Sequence, residues 1–312
     1  MRGFEDRPEV PAKDHQRGAP LVLRDPTLNR DLIEQGFVRL PGEFLNVTDR
    51  AEVRAYFDRN FAGERRGFHN DFFIDDAPYR ESGSEFLDRM LCSVWQGVLS
   101  GFEPFLLTFI SKFPDAESAF PEHRDWMYVD ETKGERSYIL YVAIDDGDET
   151  TGSVRVVPRS HLLPGPPCGT RSPWPWLRQP EILDRYSVAL PLRAGEAAVW
   201  DNRTIHMSSP NLSDSARLSV AAWCHRPENA LVHFVGCDSG EVEQYQVDRA
   251  FFNKWTPELL RERPLTEYSL IERLYVEPGR TDPHALTAHL EGRSVAEQSS
   301  AWTIRRKLPD GL

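Results

Sequence analysis

The chain has 312 residues and a mass of 35.8 kDa, the size of one large domain or two small ones, since single folds reach about 250 residues. It is 40% hydrophobic and 11% aromatic, enough to bury a core, which excludes a disordered or low-complexity protein. Its 37 Lys+Arg against 49 Asp+Glu give a formal net charge of −12, the wrong sign for gripping a phosphate backbone, so nucleic acid is not an expected partner.

In chain order, residues 1–25 are charged and proline-containing and are expected to form a loosely held tail, with no apolar stretch that would serve as a secretory signal. A short helix follows, with Thr27 as its N-cap, Leu28, Leu32 and Ile33 on one face, and Gly36 where a helix-ending glycine belongs. Phe37-Val38-Arg39-Leu40 reads as a strand, and two more helices are predicted over 49–60 and 84–99, the second capped by Ser84. From residue 105 the pattern changes to short β-rich runs at 105–113, 136–144, 153–158, 187–192, 196–201, 217–225, 230–235 and 242–247. No helix of 10–15 residues alternates with them, so an all-β sandwich or barrel is expected rather than a βαβ fold. Residues 164–180 hold six prolines and two tryptophans and are predicted to be an irregular surface excursion. Thr256-Pro257 starts a helix that Pro264 ends. The longest apolar run, residues 138–144, is far short of the ~20 residues a membrane helix needs. The four cysteines form no Cys-x-x-Cys pair and are expected to be reduced, in a cytoplasmic protein.

Phosphate-binding glycine loops, His-Glu-x-x-His and Gly-x-Ser-x-Gly do not occur, which leaves histidine combined with carboxylates. Two imidazoles and one carboxylate on one face of a metal suit Fe(II) with open positions, and the set often begins as His-x-Asp because side chains two apart on a strand point the same way. The chain has two such pairs, His69-Asn70-Asp71 and His123-Arg124-Asp125, and His289 with Glu291 besides. No histidine follows His289 to complete a triad. The pair at His123 sits between two β-rich runs, whereas His69 precedes them. A third ligand is available at His206, and 11 residues later Arg217-Leu-Ser219 opens a strand on which Arg can pair bidentately with a carboxylate.

These stretches resemble the phytanoyl-CoA dioxygenase family of Fe(II)- and 2-oxoglutarate-dependent oxygenases, which also resembles the ectoine hydroxylases. The resemblance rests on Pro121-Glu-His123-Arg-Asp125-Trp126, Tyr141-Val-Ala-Ile-Asp145, Gly152-Ser-Val-Arg-Val-Val-Pro158-Arg-Ser-His161, Leu192-Arg-Ala-Gly195-Glu, His206-Met-Ser208-Ser-Pro210-Asn211 and Arg217, with Gln35-Gly36-Phe37-Val38 near the start. It covers residues 30–225. It implies a mainly β fold, a double-stranded β-helix or cupin-like jelly roll with N-terminal flanking helices over 26–250, leaving 251–312 as a C-terminal extension packed on the core or at an interface. It implies His123, Asp125 and His206 as catalytic iron ligands, Arg217 as partner of the 2-oxoglutarate C5 carboxylate, and Ser219 and Ser111 as further co-substrate contacts. One departure is Arg159, where many relatives carry Gly. Halogenating relatives carry a small residue at the position of Asp125, so hydroxylation of a C–H bond is favoured, with Fe(II), 2-oxoglutarate and O₂ consumed and succinate and CO₂ released. Desaturation and epoxidation are alternatives.

Candidates for the substrate wall are Trp126, Tyr128, Arg203, Arg155 and His69. The expected partner is a small organic molecule, amino-acid-like or a natural-product intermediate, and the chain is expected to be a monomer or homodimer. Two other classes compete: a cupin-like metal-binding protein without turnover, and a zinc isomerase or hydrolase, which would have no need of Arg217.

Overall fold

The structure, a computed structural model, describes residues 21–172, 174–277, 281–293 and 303–307. The expected tail lies outside the described residues as far as residue 20; of residues 21–25, Val22 and Leu23 are buried, Leu23 bridging to Leu99, and the other three are exposed. Three helices lead the chain, α1 (Pro26–Gln35), α2 (Val47–Asn60) and α3 (Ala77–Val98), with β1 (Phe37–Leu40) and β2 (Phe68–Asn70) between them. Asp25, not Thr27, caps α1, accepting from the Thr27 and Leu28 amides; its carboxylate also complements the positive end of the helix. Asp76 likewise starts α3 well before Ser84, with Pro78 tolerated in the first turn.

The β-core follows as β3 (Glu103–Lys112), β4 (Phe120–His123), β5 (Ser137–Ala143), β6 (Val154–Val156), helix α4 (Pro180–Tyr186), β7 (Val188–Leu190), β8 (Ala197–Asp201), β9 (His206–Ser208) and β10 (Arg217–His225). A six-stranded antiparallel sheet, β1-β8-β5-β10-β3-β2, faces a four-stranded one, β4-β9-β6-β7. The predicted jelly roll with flanking helices is what forms. Strand β10 shows how the core divides. Leu218, Val220 and Ala222 pack beneath α1–α3, while Ala221 and Trp223 point into the space between the sheets. Both faces are covered, so the strand reads as one apolar run rather than an alternation.

The chain then adds β11 (Val232–Gly236), β12 (Glu241–Gln246), α5 (Arg249–Lys254), α6 (Pro257–Glu262), β13 (Ser269–Glu277), α7 (Pro283–Leu290) and β14 (Thr303–Lys307). Strands β11-β12-β13-β14 form a third sheet, so a boundary at residue 250 cuts between paired strands. The stretch 164–180 is irregular but not superficial. Trp174 and Trp176 are 2% and 1% exposed and pack with β11 and β13: proline denies the segment a ladder but leaves its apolar side chains free to pack.

The turn expected from Val157-Pro158-Arg159-Ser160-His161 keeps a left-handed residue without glycine. Arg159 has φ 65°, its carbonyl facing the His289 ring nitrogen (3.1 Å) on α7. The Ser160 hydroxyl accepts from the Ile205 amide at 2.8 Å, bracing the chain beside His206. Gly36 serves the same region. It has φ 85°, and its carbonyl accepts from Thr204 Oγ1 and the Asp201 amide at 2.8 Å each. A Cβ there would lie 2.4 Å from His161 Nδ1. Gly36→Ala is therefore expected to cost about 2–4 kcal/mol, from backbone strain plus overpacking. Gly42→Ala, with φ 97° but nothing within 4 Å of the added carbon, should cost only about 1–2 kcal/mol. Urea unfolding midpoints of the two variants measure the difference.

Candidate active site

Strands β4 and β9 pair antiparallel with His123 opposite His206, which brings the two rings to 4.0 Å between centroids. Asp125, two residues beyond His123, turns to the same side, with Oδ1 3.7 Å from His123 Nε2. One ligand atom from each of His123, Asp125 and His206 lies within 4.8 Å of the others, and among the described residues this is the one such group of potential metal ligands. The supporting bonds fix which nitrogen is free. His123 Nδ1 lies 3.0 Å from the Pro121 carbonyl and His206 Nδ1 lies 3.0 Å from the Thr204 carbonyl, so each Nδ1–H donates to backbone and each Nε2 is left as a lone pair. Trp223 Nε1–H donates to Asp125 Oδ2 at 3.0 Å.

Burial, reinforced by the His206 ring, holds the His123 pKa well below its ordinary value, which keeps the ring in its ligating neutral form. Burial pushes the Asp125 carboxyl up against the opposing effects of His206, Trp223 and Arg124. A carboxylate kept in such a place is uncomfortable without a cation, and two neutral imidazoles with one carboxylate are a donor set that Fe(II) accepts. The residues present fit the metal.

The three side chains line a cavity of about 280 Å³ between the two sheets, walled largely by aromatic rings. Arg217 opens β10 and points into the same cavity; it is 4% exposed and its Nε has no hydrogen-bond partner. Among the described residues it forms no ion pair: Asp201 is taken by Arg203 in a two-pronged contact of 2.9 and 2.7 Å, and Asp145 by Arg54. Across the strand pair sits Lys112, fully buried, with Nζ donating to the Ser118 and Ser209 carbonyls. Burial and then the neighbouring guanidinium lower its pKa to about 7. The buried Arg217 guanidinium, facing the cavity without a carboxylate partner, makes this end a place for an anion.

The other sequence candidates divide by strand face. Trp126 and Tyr128 line the cavity. The Ser219 hydroxyl accepts from Tyr141 at 2.6 Å and donates to the Ile110 carbonyl at 3.2 Å, so it supports the cavity wall through Tyr141. Ser111 does not reach the cavity. It pairs in register with Leu218 of the helix-side core, and its neighbour Ile110 is the lining residue. His69 is turned away in the same fashion, packing edge-on against Phe61 and Phe113, while Phe68 and Asn70 on either side line the cavity. Arg155 faces outward to Asp184 at 2.7 Å, and Arg203 is committed to Asp201. In both strand cases, one residue of register moves a side chain to the opposite face. Residues that sequence reasoning passed over include Tyr141, Trp200 and Trp223 in the wall, and Pro257 and Arg261 from the C-terminal extension. For Trp223 the signal was available: it lies six residues after Arg217 on one strand, hence on the same face.

No curated protein matches the sequence. Among solved structures, the fold is similar to the epimerase SnoN in complex with Fe³⁺, α-ketoglutarate and nogalamycin RO. The TM-score is 0.51 at 25% identity, covering 66% of this chain and 84% of that one. It is also similar to the α-ketoglutarate-dependent carbocyclase SnoK from nogalamycin biosynthesis, with TM-score 0.52 and 20% identity over 69% of this chain and 89% of that one, a likeness of fold alone. The phytanoyl-CoA dioxygenase (PhyH) family matches residues 37–219, a span that starts at β1, takes in His123, Asp125 and His206 and ends on β10, and the chain accordingly belongs to that family of Fe(II)- and 2-oxoglutarate-dependent enzymes.

Proposed function

We propose that the protein oxidises a C–H bond of a small organic molecule, by hydroxylation, with His123, Asp125 and His206 holding the iron and Arg217 holding the distal carboxylate of 2-oxoglutarate. The observation that carries this is the meeting of a two-His, one-Asp donor set and an unpaired buried guanidinium in one aromatic-walled cavity. The metal, when bound with 2-oxoglutarate, supplies O₂ activation coupled to decarboxylation of the co-substrate to succinate and CO₂. The chain's own contribution is placement. The Pro121 and Thr204 carbonyls orient the two imidazoles, and the Trp223 indole N–H holds one oxygen of Asp125 so that the other faces the histidines. Arg217, at one end of the cavity, fixes the co-substrate and leaves the aromatic end for the molecule to be oxidised. Rings such as Trp126, Tyr128 and Trp200 exclude water from that end. A natural-product intermediate is the favoured substrate, supported by the 25% identity to SnoN, whose complex contains nogalamycin RO.

Trp223→Phe removes the indole N–H that holds Asp125 and, with it, the five-membered part of a buried ring. Iron affinity is expected to fall ~10–100-fold, measured by equilibrium dialysis on the folded variant, with a stability loss of about 1–3 kcal/mol from the smaller ring. Turnover itself is tested by following succinate when Fe(II), 2-oxoglutarate and O₂ are supplied together. Slow succinate release without added substrate, stopped by an iron chelator, is the expected result. A folded, iron-loaded protein that releases none would contradict the proposal.

A further inference from the structure

Arg261 stands at the mouth of the cavity, on α6 of the C-terminal extension, exposed to solvent yet part of the lining. Among the described residues it has neither an ion pair nor a hydrogen bond, although Glu258 and Glu262 share its short helix. The other lining cations differ: Arg124 is paired with Glu131, and Arg217 lies buried at the co-substrate end. Beside Arg261 the mouth is aromatic. Phe73, 46% exposed, stacks at 6.1 Å on Phe120, which packs at 4.4 Å on Phe68 and meets the His123 ring edge-on at 4.6 Å. A row of rings thus leads from solvent to a metal-ligand candidate, and α6, which carries the unused Arg261 guanidinium, packs against the turn of residues 71–73 that carries Phe73.

We propose that Arg261 reads a carboxylate on a flat, largely apolar substrate, at a position remote from the carbon that is oxidised; this rests on the oxygenase assignment of the cavity. Ring faces favour flat apolar surface, and a guanidinium offers two parallel donors that match a carboxylate. A phosphate dianion would call for further cations or a nest of amides, and among the described residues that line the cavity no second unpaired cation stands beside Arg261.

The test uses the anaerobic protein loaded with Fe(II) and saturating 2-oxoglutarate, and two probes of equal shape, 2-naphthoate and neutral 2-naphthamide, titrated by calorimetry. The wild type is expected to prefer the carboxylate by about tenfold. Arg261→Gln should abolish the preference while leaving naphthamide affinity unchanged, and Arg261→Lys should restore part of it. A preference that survives Arg261→Gln overturns the proposal, as does a wild type that fails to distinguish the probes or binds neither. The visible charge-transfer band of the iron–2-oxoglutarate pair is recorded in the same samples. It should be equal in wild type and Arg261→Gln; its absence from the wild type would count against the iron and co-substrate assignment, separately from Arg261.

Discussion

Replacing His206 by Ala is expected to abolish stoichiometric iron binding and to lower 2-oxoglutarate turnover well beyond the ~100-fold that loss of a merely supporting residue costs. The reason is geometric: β9 places His206 directly opposite His123, its Nδ1 is committed to the Thr204 carbonyl, and no other described histidine or carboxylate joins the group. Removing a buried ring leaves a cavity and costs stability as well, so His206→Gln, closer in volume, is the companion variant and should lose iron equally. His69→Ala is the contrast. It belongs to an identical His-x-Asp spacing but packs between Phe61 and Phe113 on the other side of the sheet. It should keep its iron and its turnover. Iron content after dialysis, measured on all three proteins, checks both halves.

Arg217→Met is expected to raise the Michaelis constant for 2-oxoglutarate about 10²–10³-fold, the scale for losing a buried charge-assisted partner, with iron still bound. The same change should stabilise the protein in the absence of 2-oxoglutarate by about 1–3 kcal/mol, because a buried donor without a partner is removed. Opposite signs for affinity and stability separate an anion anchor from a structural arginine, whose loss would weaken the fold and leave the Michaelis constant alone. Steady-state kinetics and urea unfolding of one variant provide both numbers.

Much of this was legible in the sequence. Gly36 closes α1 with a positive φ, Thr256 and Pro257 start α6, and β10 matches residues 217–225 to the residue. In each case a local rule and the tertiary environment agree. The ordered set of His123, Asp125, His206 and Arg217 was visible because strand ends carry it. What stayed hidden depends on register and on chain brought back from far away. Ser111 and Ile110 differ by one position, and only the pairing with Leu218 and Ser219 tells which faces the cavity. Strands β4 and β9, four and three residues long, are too short for any periodicity to mark them. Trp174 and Trp176 looked superficial among prolines, and their burial follows from β11 and β13 arriving beside them. Arg261 could not be placed at the cavity from sequence, since the extension that carries it is positioned by contacts rather than by pattern.

The measurement that bears most directly on the proposed site is an anaerobic titration of the wild-type protein with Fe(II) in the presence of 2-oxoglutarate, followed by visible absorption. The account predicts a metal-to-ligand charge-transfer band that grows to saturation at one iron per chain, requires 2-oxoglutarate, and is absent from His206→Gln. A folded protein that binds iron without developing the band, or develops it equally in His206→Gln, would contradict it.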